Sequence, residues 1–287
     1  RITNPQEPRD PRQRIYNVAR MRSQQNLCVA FLNNLLKQCA KKPLIIVGQG
    51  ALTGSDGAAI LGLAANLATS LNAVTDEWNG FAVLHTAASR VGGLDLGFVP
   101  GKSGNSVSGM MGVMDVLFLL GADELDMSKI GDAFTVYIGT HGDEGAHRAD
   151  VILPGAAYTE KSGTFVNTEG RVQMTNRAGF APGEAKEDWA IMRALSDVLG
   201  KRLPFDSLNA LRAKLYAEFP HLAEIDDVKA GTAADVGKAA KLGGKIGKAP
   251  FRSAVKDFYL TNPIARASAV MADCSALALG GLKHSAE

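Results

Sequence analysis

ADVILPGAAYTEKSGTFVNTEGRVQ, residues 149–173, decides how the rest of the chain is read. It opens with an apolar run, Val151 to Leu153, that predicts a strand stopped by Pro154 and Gly155. Beyond the stop lies a loop rich in hydrogen-bonding and turn-forming residues: Thr159, Glu160, Gly163, Thr164, Asn167, Glu169, Gly170 and Arg171. Such a loop is not core. Its side chains either satisfy the donors and acceptors of an irregular backbone or hold a ligand that offers the same groups, and residue chemistry alone leaves both open.

Working outward, three more short apolar runs have the length and composition of strands: Leu44 to Val47, Asp115 to Gly121 (DVLFLLG) and Phe134 to Gly139 (FTVYIG). With the Val151 run they predict an α/β fold, a mostly parallel sheet covered by helices on both faces. Helical spacing places helices over Asn26–Ala40 (Leu27, Phe31, Leu35, Leu36), Lys186–Leu199 (Ile191, Leu195, Val198) and about Ser207–Phe219 (Leu208, Leu211, Leu215, Phe219). Gly57 to Leu71 is uncharged, but fifteen residues including Asn66, Thr69 and Ser70 fall short of the roughly 20 apolar residues a membrane span needs. It reads as a buried helix, with Ser55 or Asp56 as its cap.

The ends differ in character. Arg1 to Arg22 holds six arginines against Glu7 and Asp10, and Pro5, Pro8 and Pro11 interrupt any early helix, so an extended basic arm is expected. Asp226 to Pro250 is rich in Ala, Gly and Lys, with five lysines and five glycines, and reads as a mobile linker or a surface strap. Beyond it Asn262 caps and Pro263 begins a terminal helix. The expected organisation is an arm and helix over 1–43, an α/β core over 44–203, and a helix, linker and terminal helix over 204–287. Poorly self-burying ends predict docking on partners, with Ile15, Tyr16, Phe258 and Tyr259 as apolar anchors.

Composition excludes several function classes. With 287 residues, 46% apolar, 21% charged and a formal net charge of +2, the chain has no basic surplus for nucleic acid or acidic membrane. Cys28, Cys39 and Cys274 are widely spaced and form no CxxC pair, which argues against a disulfide framework and against a zinc or iron–sulfur site built by this chain alone. Gly48, Gly50 and Gly54 give G-x-G-x-x-x-G, one residue off the dinucleotide fingerprint, with no acidic residue at the end of a second strand; a tight turn is the simpler reading. His141, Asp143, Glu144 and His147 form H-x-D-E-x-x-H, which is not the spacing that sets two histidines one helical turn apart, and Gly142 and Gly145 weaken a helix there. His85, beside Val83 and Leu84, reads as a hydrogen-bonded packing residue.

The ordered motifs ADVILPGAAYTEK and GTFVNTEGR with Gln173 resemble the molybdopterin oxidoreductase superfamily. HGDEGAHRAD (141–150), PGEAKEDWAIMRALSDVLG (182–200) and DFYLTNPIARASAVMADC (257–274) make the resemblance that of one branch, the C-terminal half of the large iron–sulfur subunit of respiratory complex I, NADH:quinone oxidoreductase. The resemblance implies a non-catalytic α/β segment of the peripheral, NADH-oxidising arm, on the matrix side of the mitochondrial inner membrane or in a bacterial cytoplasm. It implies iron–sulfur clusters and FMN in partner parts of that complex and none in this chain. Catalytic, cofactor-binding and metal-ligating residues are accordingly expected to be none. Partners would be other peripheral-arm subunits, above all the iron–sulfur-bearing half, with no nucleic acid and no membrane insertion. Two other readings remain at this point: a fragment of a working molybdopterin oxidoreductase, with residues 160–173 at the pterin, and a nucleotide-binding module built on Gly48 to Gly54.

Overall fold

Short β-branched and aromatic runs form most of the strands here, and within the two three-stranded sheets the connections are long enough to lay down a parallel neighbour. A computed structural model describes residues 16–17, 41–87, 90–228, 231–251, 253–255 and 257–280. The expected helix over Asn26–Ala40, Cys28, Cys39, Ile15 and all but two residues of the basic arm lie outside the described residues. The chain divides into two compact units: Arg1–Val91 with Val166–Arg171 and Val228–Ala254, and Gly92–Phe165 with Val172–Asp227 and Val255–Glu287.

In the first unit β1 (Tyr16–Asn17), β2 (Ile45–Gly48) and β3 (Phe81–Leu84) form a parallel sheet in that order, with Ile45 beside both Tyr16 and Phe81. The helix Gly57–Ser70 buries Ala59, Ile60, Ala64, Ala65, Leu67 and Ala68, and its small residues pack close to Ile45 and Val47. Burial of Ile45, Val47 and Leu67 contributes roughly 1.5–3 kcal/mol each.

Of the two readings of Asp226 to Pro250, linker or strap, the described residues 231–250 follow the strap. It contains the helix Ala233–Ala239, started by a Thr232/Asp235 capping box, and Val236, Ala239 and Ala240 join the core of the Gly57–Ser70 helix. Asn66 Nδ2 donates to the Ala240 carbonyl at 2.8 Å, and the Gly247 N–H donates to Asp56 Oδ2 at 2.8 Å. The Asp56 carboxylate therefore ties down the strap and does not cap the helix it precedes. Gly62 is required for the approach, because a Cβ there would sit 2.1 Å from the Leu242 carbonyl oxygen. The lysines and glycines that suggest disorder lie along a strap fixed at these points.

In the second unit β4 (Val116–Leu120), β5 (Phe134–Gly139) and β6 (Val151–Pro154) form another parallel sheet in that order. The four expected strands thus fall into two sheets, because Leu44–Val47 finds its partners in Tyr16–Asn17 and Phe81–Leu84. Connections on one face of the β4–β6 sheet bring Met127, Ile130, Ala133, Ala146 and Ala149 onto Leu119 and Tyr137. The α/β class with parallel sheets flanked by helices holds, and along β4 Val116, Phe118 and Leu120 point to the other face and are 52%, 43% and 50% exposed.

The stretch after Pro154 is not wholly irregular. β7 (Gly163–Val166) and β8 (Val172–Thr175) form a two-stranded ribbon, and Val166 and Val172 are each only 2% exposed. Of the later helices, Asp188–Val198 buries Arg193, whose guanidinium meets the Phe205 carbonyl and the Asp206 and Asp197 carboxylates. Leu208–Glu218, capped by Ser207, buries no residue fully, so its leucine stripe is half-buried and not core. Pro263–Arg266, capped by Asn262, is followed by Ala269–Ala278, capped by Ser268. Phe258 is 78% exposed and meets the half-buried Tyr259 edge to face at 5.5 Å.

Candidate functional site

An open parallel sheet presents its ligand crevice at the C-terminal ends of its strands. In the second unit that edge is built from the segment after β4, which carries Asp123 and Glu124, and the segment after β5, which carries His141 to His147. Asp123 is 4% exposed, accepts from the Tyr137 hydroxyl at 2.8 Å, and accepts from the Gly145 N–H at 2.9 Å. A Cβ on Gly145 would lie 2.6 Å from Asp123 Oδ1 and 2.8 Å from the Tyr137 ring. The glycine that weakens a helix by propensity is thus what allows the short helix Glu144–Arg148 to sit there, with Asp143 as its cap. Burial, then the Asp123 hydrogen bond and charge, push the Tyr137 phenol well above its ordinary value, so it keeps its proton and donates.

The third contributor comes from far along the chain. Arg266, at the end of the Pro263–Arg266 helix, pairs through Nε with Asp143 Oδ2, donates from Nη1 to the Leu260 carbonyl at 3.3 Å, and lies 3.7 Å from Glu124 Oε1. Its Nη2 is buried without a hydrogen-bond partner. Desolvation acts upward on the Asp143 carboxyl, but the Arg266 hydrogen bond, the Glu144 N–H and the Arg266 and His147 charges together hold it below the usual carboxylate range. Asp257 braces the same segment by accepting from the Tyr259 N–H at 2.9 Å and from the Ser275 hydroxyl.

Of the residues in the H-x-D-E-x-x-H stretch, Asp143 enters this network through side-chain hydrogen bonds and His147 only through its charge. His141 Nδ1 meets its neighbour Thr140 Oγ1 at 2.8 Å, and His147 and Glu144 are exposed. Among the described residues no three His, Cys, Asp or Glu side chains converge as a metal cage. Cys274 is free and half-buried. His85 differs from expectation: its Nδ1 is buried without a hydrogen-bond partner, and burial, with Arg90 nearby, lowers its pKa. The Gly48 to Gly54 turn contains a 3-10 segment, Gln49–Leu52, and Gln49 Oε1 accepts from the Thr86 N–H and hydroxyl.

Several polar residues of 160–173 are engaged locally, whereas Thr164 Oγ1 is buried without a hydrogen-bond partner. In the second unit Glu160 Oε2 accepts from the Ala157 N–H at 2.8 Å, and Lys161 pairs with Asp188. In the first unit Asn167 Oδ1 accepts from the Glu169 and Arg171 N–H groups at 2.9 and 3.0 Å, which folds the turn, and Glu169 lies 3.6 Å from Arg171. A small cavity of ≈ 50 Å³ lies elsewhere, between the Gly57–Ser70 and Ala233–Ala239 helices.

Spacing does not mark Asp123, Glu124, Tyr137 and Arg266 as a site. Arg266 and Asp143 are 123 residues apart, and no local pattern links them; the only trace is that each lies in a motif carrying the family resemblance.

Residues 19–198, more than half of the chain, match the family model described as molybdopterin oxidoreductase. The chain belongs to that family. Within the molybdopterin oxidoreductase family its similarity is to one branch, since residues 224–274 match a second model, which describes the C-terminal region of an NADH-ubiquinone oxidoreductase subunit. It is 44% identical to the NADH-ubiquinone oxidoreductase 75 kDa subunit of Reclinomonas americana, over 86% of this chain and 36% of that protein. It is 43% identical to the mitochondrial NADH dehydrogenase iron–sulfur protein 1 of Solanum tuberosum, over 83% of this chain and 32% of that protein. The mitochondrial 78 kDa subunit of Neurospora crassa is also 43% identical, over 83% and 32% respectively. The matched part of these relatives is C-terminal, and the chain spans about a third of their length.

Proposed function

We propose that this chain is a non-catalytic structural segment of the peripheral, NADH-oxidising arm of respiratory complex I, packed against the iron–sulfur-bearing part of the same subunit or of a separate partner chain. The observation that carries the reading is Arg266. At the edge where a parallel sheet would offer a ligand its groups, the guanidinium from the C-terminal segment is drawn onto Asp143 and Glu124, and Asp123 is committed to Tyr137 and Gly145. What remains is a set of mutually paired charges, with Arg266 Nη2 left without a partner, and the hydroxyl and imidazole that meet at this edge, Thr140 and His141, are sequence neighbours with an exposed contact and no buried carboxylate orienting the ring.

The family suggests a pterin, and the 160–173 segment is where this chain would meet it. Glu160 and Asn167 each turn an oxygen to backbone N–H groups of their own turns and Lys161 is held by Asp188, which speaks against that role, while Thr164 Oγ1 is buried there without a hydrogen-bond partner. In this reading iron–sulfur clusters and FMN lie in partner parts of the complex, electrons do not pass through this chain, and the assembly faces the mitochondrial matrix, in keeping with relatives named as mitochondrial.

Elemental analysis of the assembly purified through this chain tests the reading against the active-enzyme alternative. Iron without molybdenum or tungsten, together with polypeptides of the NADH-oxidising arm, is the expected result. Stoichiometric molybdenum or tungsten would overturn it.

A further inference from the structure

β4 has the sequence of an interior strand in the position of an edge. Val116 to Leu120 is an unbroken apolar run with no charge between Asp115 and Asp123, the pattern of a parallel strand buried on both faces. Among the described residues, however, it is the outer strand of the order β4-β5-β6. Natural edges are blunted by charges, prolines or bulges, and this one has none within the strand. The parallel register sets Val116 beside Phe134, Phe118 beside Val136, and Leu120 beside Ile138 on one face. On that face Val136 and Ile138 are buried, whereas Val116, Phe118, Leu120 and Phe134 are between 43% and 52% exposed. That face is bare along the β4 margin and again at Val151 of the other edge strand, 38% exposed, with the longer apolar row on β4, and both connections within the sheet lie on the opposite face, over Leu119 and Tyr137.

We propose that the β4 margin is completed by the part of the family protein that carries the iron–sulfur clusters, which adds backbone pairing along the β4 edge and an apolar helical stripe over Val116, Phe118 and Leu120. The proposal deepens the complex I reading and rests on it. The relatives argue for this occupant over a second copy of the chain, because about two thirds of their length lies outside the segment matched here. A partner that supplies strand and helix together satisfies both defects, the unpaired edge and the uncovered row. Phe118, central in that row, is the anchor.

The test is hydroxyl-radical footprinting of the full chain, alone and in the assembly purified through it. Labelling of Phe118 and Leu120 is expected to fall at least about tenfold on assembly, while Leu119, 2% exposed, stays unlabelled in both states as a check of the fold. Equal labelling of Phe118 in both states would overturn the proposal, as would a dimer of the chain alone with Phe118 already protected. Where the iron–sulfur-bearing part is a separate polypeptide, Phe118→Glu should lower its recovery at least about tenfold with little change in melting temperature, and recovery equal to the unsubstituted chain would count against the proposal; where it is the same polypeptide, Phe118→Glu should instead raise proteolytic nicking between the two parts, and unchanged nicking would count against it. Where that variant melts early, the footprint of the unsubstituted chain decides. An assembly containing no iron–sulfur-bearing polypeptide ends the complex I reading and this proposal together. If that polypeptide is present and Phe118 stays open, the docking proposal alone fails.

Discussion

Arg266 does at residue scale what no local pattern announces: it neutralises Asp143, whose side chain is only 18% exposed, from 123 positions away. Arg266→Ala should therefore lower stability by roughly 2–4 kcal/mol, between the costs of breaking an exposed and a buried pair, as read by denaturant unfolding. The pH dependence has a definite sign. Asp143 has a lowered carboxyl pKa in the fold, so its contribution is complete above the ordinary carboxyl value of 3.8 and is lost as pH falls through the lowered one. The Arg266→Ala protein should show less of that acid-dependent loss, since only the Glu144 N–H and the His147 charge still favour the carboxylate, and parallel acid titrations of the two proteins check it. Tyr137→Phe should cost about 1–3 kcal/mol, because Asp123 Oδ2 loses its donor in a buried position. Arg171 is a contrast: its ion pair with Glu169 joins side chains 38% and 66% exposed, so that pair contributes only about 0–1 kcal/mol, well below a buried one.

At the scale of elements, legibility follows length and apolar content. The Gly57–Ser70 helix and the Phe134 run are readable because burial enforces their patterns, and the Val116 and Val151 runs are readable from their unbroken apolar content although most of their residues are exposed. The β7 and β8 strands hide in a polar loop because each contributes only one fully buried residue, Val166 or Val172, to the core. The strap resembles a linker in sequence for a related reason. Its stability comes from Val236, from the Gly62 approach and from Asp56 accepting the Gly247 N–H, and only the first is visible as hydrophobicity. Asp235 accepts hydrogen bonds from the Thr232 side chain first and Lys238 second, and these hold its carboxyl down to about 2. The capping box should accordingly persist as pH falls past the usual carboxyl range and open only near that value, measurable by amide exchange at Asp235 and Val236. Thr232→Ala should destabilise the strap by about 1 kcal/mol, with faster exchange confined at first to residues 232–247.

For the molecule as a whole, the α/β class and the family are legible from ordered motifs, while the arrangement into two sheets is not. Four apolar runs look alike in sequence, and only pairing partners such as Tyr16–Asn17 and Phe81–Leu84, both very short, separate one sheet from the other. The sequence singles out Asp143 only within a metal-like spacing that it sets aside, and it is silent at Arg266, since long-range ion pairs leave no spacing. A structural role makes one demand that a catalytic role does not: damage to the chain should change how much complex exists, not how fast each complex works. The most direct measurement is the rate of NADH oxidation per assembled particle, with particle number counted separately, in the unsubstituted chain and in Arg266→Ala and Glu160→Ala. The account predicts fewer particles in the variants and an unchanged rate per particle; full assembly with a reduced rate per particle would contradict it.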